Sequence, residues 1–285
     1  MTRASLKCLP LALIFAISNL VFADSGAPQL TERAWAVLDT GLTHKAADHR
    51  VEAVKALSLI TGERAAIKPA VHALSDDNAD VRVAAAVTLG QLHAVSAIPD
   101  LKKLLSDKEV SVVLAASQAL YQLRDNSAYD VYYAILMGDK KASDGMIQSQ
   151  IDRLKDPKKV AMLGIEQGIG FVPYGGIGMQ AYRFAKSDHS QVRASAARSL
   201  ALDPDPMSRD ALVQIALTDD STAVREAALD ALAERGDASC VGRLERNLND
   251  SKFAVRYRSA AAVIHLSDTA ARAKHKGRSQ PLKSQ

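Results

Sequence analysis

Apolar positions along the chain recur with a helical period, and the pattern they form recurs with a longer one. In "DVRVAAAVTLGQL", Val81, Ala84, Ala85, Leu89 and Leu92 fall at i, i+3, i+4, i+8 and i+11, one stripe of a 3.6-residue helix. The segments "DDNADVRVAAAVTLGQL", "DKEVSVVLAASQALYQL", "DDSTAVREAALDALAER" and "DSKFAVRYRSAAAVIHL" share one plan. An Asp is followed, after four intervening residues, by Val, often by Arg, then by alanines and a closing apolar residue. Val81, Val112, Val192, Val224 and Val255 each precede by eight positions an apolar residue: Leu89, Leu120, Leu200, Leu232 and Val263. His49 and Met146 fit more loosely, with Leu57 and Leu154 at the same offset.

The spacings between these seven markers are 32, 31, 34, 46, 32 and 31. A fixed period of this kind predicts a solenoid, in which each unit buries its apolar face against its neighbours. Each unit reads as two helices. Alanine in the marker helix lets a neighbouring helix approach closely. The second helix is visible in "AIPDLKKLLSD" and "PMSRDALVQIALTD", where proline suits a first helical turn. Ser-Asp, Thr-Asp or Asn-Asp pairs at 75–76, 106–107, 187–188, 218–219 and 249–250 are placed to cap the following helix.

Ankyrin and tetratricopeptide units have a similar period, but their marker residues are absent. The Asp…Val-Arg…Ala-Ala…Leu-Gly signature, best seen in "DVRVAAAVTLGQLHAVSAIPDLKKLLSD", resembles the short HEAT-like repeats of the phycobilisome-lyase type. The resemblance covers roughly residues 28–268 and is weakest between 138 and 186. It implies an all-α fold: a right-handed α-solenoid of about seven stacked helical hairpins with one irregular glycine-rich insertion, about residues 156–186. It also implies that Arg82, Arg193, Arg225 and Arg256 are structural, linking adjacent units to the repeated Asp. Val113 stands in that slot in one unit, where the ladder should be interrupted. The stretch "APQLTERAWAVLDTGLTHK" resembles a lone second-type helix, with Trp35 placed to cover the exposed end of the stack.

Composition changes this picture at the two ends. Residues 1–23 read as a signal peptide: Arg3 and Lys7, a largely apolar run from Leu9 to Leu20, then Val21-Phe22-Ala23 with small residues where a signal peptidase reads. The run is short for a membrane span and contains Asn19. Lys7 stands where a lipoprotein motif around Cys8 would need a small residue. Cleavage leaves Cys240 as the sole cysteine, expected to be a small buried hydrophobe, and a periplasmic or secreted protein held by its core or by a partner. The formal charge of +4 lies at the termini. Without Arg3, Lys7 and the five basic residues after Asp268, the body is near −3, which disfavours nucleic-acid binding. Residues 269–285 read as a basic, disordered tail, with attraction to anionic lipid or an acidic partner as the alternative.

Catalytic signatures were sought and fail. Gly170-x4-Gly175 is followed by Gly176-Ile177, not the Lys-Ser/Thr of a phosphate loop, and Pro173 blocks a dinucleotide fingerprint. No G-x-S-x-G elbow and no His-Glu pair occur. His44 and His49 are five apart, a spacing that does not stack them on one helical face. A rigid turn accounts for Asp203-Pro-Asp-Pro206. No catalytic residue, cofactor or metal site is therefore assigned.

The interval from Met146 to Val192 is too long by half a unit, and it holds "GIGFVPYGGIGM" within 16 uncharged residues between Glu166 and Arg183. Of the 11 aromatics after residue 23, eight lie between Tyr121 and Phe184. Aromatic side chains give large contact area at low entropic cost and dominate binding hot spots. Tyr129, Tyr132, Tyr133, Phe171, Tyr174 and Tyr182 are the candidate partner-binding residues. The glycine-rich loop can equally be a structural plug that uses glycine for tight turns. The functional expectation is a non-enzymatic exported scaffold binding a protein or peptide. The alternative is a membrane-surface or envelope-assembly protein using the loop and the basic tail.

Overall fold

The computed structural model describes residues 26–62, 64–137 and 189–278. Every regular element among them is helical. The elements are α1 (Gly26–Leu42), α2 (Ala47–Ala56), α3 (Arg64–Ala73), α4 (Ala79–Gln91), α5 (Ile98–Lys103), α6 (Val110–Gln122), α7 (Ser127–Met137), α8 (Ser190–Ser199), α9 (Pro206–Thr218), α10 (Thr222–Arg235) and α11 (Phe253–Arg278). A 3₁₀ segment, Ala238–Asn249, precedes α11. The glycine-rich insertion, the marker Met146 and the first 23 residues lie outside the described residues.

Marker helices form one row and their partners a second, as the period requires. Helix α4 packs between α2 and α6, and α10 between α8 and α11. The interface positions are the predicted ones: Val81, Val112, Val224, Val255, Leu57, Leu89, Leu120, Leu232 and Val263 are all 1% exposed or less. Val192, on α8 at the end of the described row, is 43% exposed. Alanines 84–86, 115–116, 227–228 and 260–262 are buried between the rows. Small side chains there let the backbones come close, so dispersion contacts accumulate along whole helices. Helix α10 stops at Gly236, whose φ of +67° is the left-handed cap conformation that glycine adopts without penalty.

The order of the row differs from the order of the sequence. Helix α11, the last, packs against α1 and α2, the first. The row therefore runs α8–α10–α11–α2–α4–α6, with the amino-terminal unit in its interior. Helix α1 lies in the outer row beside the 3₁₀ segment 238–249, so Trp35 does not cover a free end of the stack. A repeat pattern fixes which face of a unit is apolar, not which unit that face meets.

Two further expectations are corrected. Helix α11 continues to Arg278, ten residues into the segment read as a disordered tail. Contacts with the first unit accompany this extension: Arg272 Nη2 donates to the Gly62 carbonyl at 3.2 Å. The aspartates between units do not cap the helices directly. Asp76, Asp107, Asp219 and Asp250 each accept the backbone N–H two residues on, at 2.8–2.9 Å, and so shape the turn before the helix. The cap of α4 is Asn78, which accepts from the N–H groups of Asp80 and Val81.

Candidate functional site

The predicted ladder is present. Arg82 forks onto Asp107 through Nε and Nη2 at 2.9 and 2.8 Å, while its Nη1 donates to the Asp76 carbonyl at 2.8 Å. Arg193 forks onto Asp219 in the same way, and Arg225 reaches Asp250 through Nη1 alone. Sequence reasoning missed Arg50, which binds Asp76 at 2.7 and 2.8 Å. Its signal was available, since it follows the marker His49 by one residue. Arg256 donates to the Asp250 carbonyl at 2.7 Å and stands over the Tyr257 ring. Val113 fills the arginine slot of its unit with a buried apolar side chain, so no guanidinium is available there. These arginines are engaged within the scaffold, and none is offered to a substrate.

What the scaffold does present lies on α6 and α7. The turn joining them is tight: Arg124 has φ +60°, and its N–H donates to the Tyr121 carbonyl at 3.0 Å. Asp125 then accepts the Ser127 N–H at 2.9 Å and starts α7. Its carboxyl is held below the ordinary range by hydrogen bonds from Ser127 and then from Lys102, whose Nζ lies 3.0 Å away. This turn brings three tyrosines to the surface. Tyr121, Tyr129 and Tyr133 are 50%, 56% and 61% exposed. Tyr129 and Tyr133 share a helical face at i, i+4.

Tyr121 meets Tyr129 edge-on, with ring centroids 6.0 Å apart, and Tyr132 at 6.3 Å. Such geometry holds rings in place without covering them. Tyr132 is the support of the cluster: it is half-buried and its hydroxyl donates to Gln118 Oε1 at 3.1 Å. Burial pushes its pKa up to about 12, so it stays a neutral donor. A shallow depression of about 450 Å³ lies beside it, lined by Tyr121, Gln122, Arg124, Asn126 and Tyr129. It offers apolar ring faces, amide groups and one guanidinium. Of the predicted site residues, Tyr129, Tyr132 and Tyr133 come together here, Tyr121 joins them, and Phe171, Tyr174 and Tyr182 lie outside the described residues.

Other reactive groups are structural. Cys240 is buried, its pKa is pushed up to about 11 by burial and then by Asp237, and its thiol donates to the Asp237 carbonyl at 3.2 Å. Among the described residues no group of three or more His, Cys, Asp or Glu could hold a metal ion. None of the described helices is long and apolar enough to cross a membrane.

Residues 36–122 and 182–265 match the sequence profile of HEAT repeats, which is more than half of the chain. The chain belongs to the HEAT-repeat family. Among solved structures it is similar to the CpcE–CpcF complex of phycocyanin lyase from Nostoc sp., at 18% identity over 83% of this chain and 94% of that one, with a TM-score of 0.33. Human deoxyhypusine hydroxylase is similar at 19% identity, over 85% of this chain and 98% of that one, again with a TM-score of 0.33. A designed armadillo repeat protein is similar at 17% identity, over 84% and 99%, with a TM-score of 0.24. No curated protein matches the chain. As a HEAT-repeat protein it has its arginines and aspartates explained by the stack, which leaves the tyrosine surface as the candidate site.

Proposed function

We propose that this HEAT-repeat protein is a non-enzymatic, exported scaffold that binds a protein or peptide through the tyrosine surface of α6 and α7. The observation that carries the reading is the exposure of Tyr121, Tyr129 and Tyr133 on a rigid, internally paired stack. Three exposed tyrosines, of which Tyr121 and Tyr129 line the depression, give a binding surface that loses little side-chain freedom on contact. Arg124 at the rim favours an acidic or carboxyl-bearing residue in the bound segment. Export is proposed from the basic, apolar and small-residue regions of residues 1–23.

The test is affinity capture from a cell-envelope extract with wild type and the Y121A/Y129A/Y133A variant, with thermal melts of both. These side chains are exposed, so the variant should melt within about 2 °C of wild type. Loss of a captured polypeptide with unchanged melting supports the reading. Capture of the same polypeptides by both proteins overturns it.

A further inference from the structure

One joint in the stack departs from the ladder, and it is the joint between the first and last units. At α4, α6, α10 and α11 the residue three positions before the helix is an aspartate: Asp76, Asp107, Asp219 and Asp250. Before α2 that position holds His44. The histidine takes over the turn, because its Nδ1 accepts the Ala46 N–H at 3.1 Å, the bond each aspartate makes to the N–H two residues on. It does not take over the charge. Arg256, the ladder arginine of the neighbouring α11, binds its own Asp250 carbonyl as Arg82 binds that of Asp76, but the carboxylate that Arg82 finds across the joint is here an imidazole.

The imidazole is part-buried and stacked on a second ring. The rings of His44 and His49 stack with centroids 3.8 Å apart, and His49 stacks in turn on Phe253 of α11 at 4.0 Å. His44 precedes the helix, which is why a spacing of five brings these rings together. His49 Nδ1 lies 2.7 Å from the Tyr257 hydroxyl, and Tyr257 is buried. Farther along the same joint, His265 Nδ1 of α11 lies 3.4 Å from Thr61 Oγ1. Three of the chain's seven histidines thus sit between the same two units.

We propose that this joint is an acid-sensitive latch, closed at neutral pH and opened when His49 and His265 take up protons, separating the unit of α1 and α2 from α11. Protonation of His49 sets a charge between the His44 and Phe253 rings, beside the buried Tyr257. The surrounding charges do not balance it. Arg256 comes from α11, Lys45 from the turn, and Arg50 of α2 is neutralised by Asp76 of the next turn. Asp48 of α2 and Asp39 of α1 are the nearby acids, and both are exposed. A charged His49 gains some attraction from the Phe253 face, which reduces the effect without reversing its sign. Burial, with His44 next, lowers the His49 pKa from 6.5, and burial with Arg272 lowers that of His265. A lowered histidine contributes stability above about pH 6.5 and loses it as pH falls through its folded value. The remaining joints use carboxylates and stay closed through that range.

The test follows Trp35, the chain's single tryptophan, on the helix that packs against α11. Acrylamide quenching of Trp35 and the radius of gyration by X-ray scattering are measured from about pH 7.5 to about pH 5. Wild type is expected to show a rise in both below about pH 6.5, reversible on neutralisation and without loss of helical circular dichroism. His44→Asp restores the ladder carboxylate opposite Arg256 and should move the transition down by about one pH unit or more. His44→Asn keeps an uncharged acceptor for Ala46 and should move it in the same direction. The latch is overturned if wild type shows no transition in this range, or if both variants open at the wild-type pH.

Discussion

Arg82 and Asp107 meet through two parallel charge-assisted hydrogen bonds between side chains only 8% and 10% exposed. The third guanidinium nitrogen is occupied by the carbonyls of Asp76 and Asp77. Removing either partner leaves a charge in a place that water reaches poorly. Arg82→Ala is expected to cost about 3–5 kcal/mol in urea unfolding, and Arg82→Lys most of that, because an ammonium cannot make the fork. Arg193 makes the same connection to Asp219 but is 46% exposed. Arg193→Ala should therefore cost about 1 kcal/mol or less. Equal costs at the two sites would mean that register, not burial, sets the strength of the ladder.

The ladder and the histidine joint should separate in an acid titration. Burial alone would raise the Asp76 and Asp219 carboxyls, but hydrogen bonds from Arg50 and the Asn78 N–H at Asp76, and from Arg193 and the Ser221 N–H at Asp219, hold both below their ordinary 3.8. A carboxylate lowered in the folded state contributes stability above its unfolded pKa and loses it as pH falls through the folded value. Helical circular dichroism should therefore persist to about pH 4 and collapse below it. Trp35 quenching should change earlier, below about pH 6.5. A single coincident transition in both signals would show that the joint and the ladder open together.

The repeat, its apolar positions and three of the ladder arginines, Arg82, Arg193 and Arg225, were legible because each is dictated within one unit and restated in the next; Arg256 was expected to join them and finds no aspartate across its joint. Leu89 and Leu120 are buried for the same local reason. The seam was not legible, since the repeat pattern marks the apolar face of α11 without saying which unit covers it, and only the folded chain shows that it meets α1 and α2. The spacing of His44 from His49 treats both as helical, and the position of His44 three residues before α2, where other units carry Asp, is the stronger signal. The candidate site was half legible: aromatic crowding pointed to Tyr129, Tyr132 and Tyr133, but only the turn at Arg124 shows that Tyr121 completes the surface.

Gly41 marks how closely the seam is packed. A Cβ at this position would lie 2.6 Å from Tyr257 Cζ and 2.7 Å from Ala53 Cβ. Alanine in a helix ordinarily stabilises relative to glycine by about 0.5–1 kcal/mol. Here α1 would have to move off both α2 and α11, so Gly41→Ala is expected to destabilise by about 1–3 kcal/mol. Trp35 emission should shift with it. A variant more stable than wild type in urea unfolding would mean that the two helices do not touch Gly41 in solution.

A second test of burial concerns the charges around Arg258, a part-buried guanidinium on α11 that bonds to Asp230 of α10, with Glu226 and Glu52 nearby. Burial raises the Glu226 carboxyl above its ordinary 4.5, and attraction to Arg258 does not cancel this. A raised acid contributes its full stability below the unfolded pKa and loses it as pH climbs through the folded value. Glu226→Gln removes that loss while keeping an acceptor and the side-chain volume. The variant should melt about 1–3 °C above wild type at pH 7 and no higher at pH 4. Asp230→Asn should act in the opposite sense, because it takes the direct partner from a part-buried cation, at about 1–3 kcal/mol. If Glu226→Gln instead lowers the melting temperature at pH 7, the carboxylate is a required partner of Arg258, and the cluster is held by two acids in place of one.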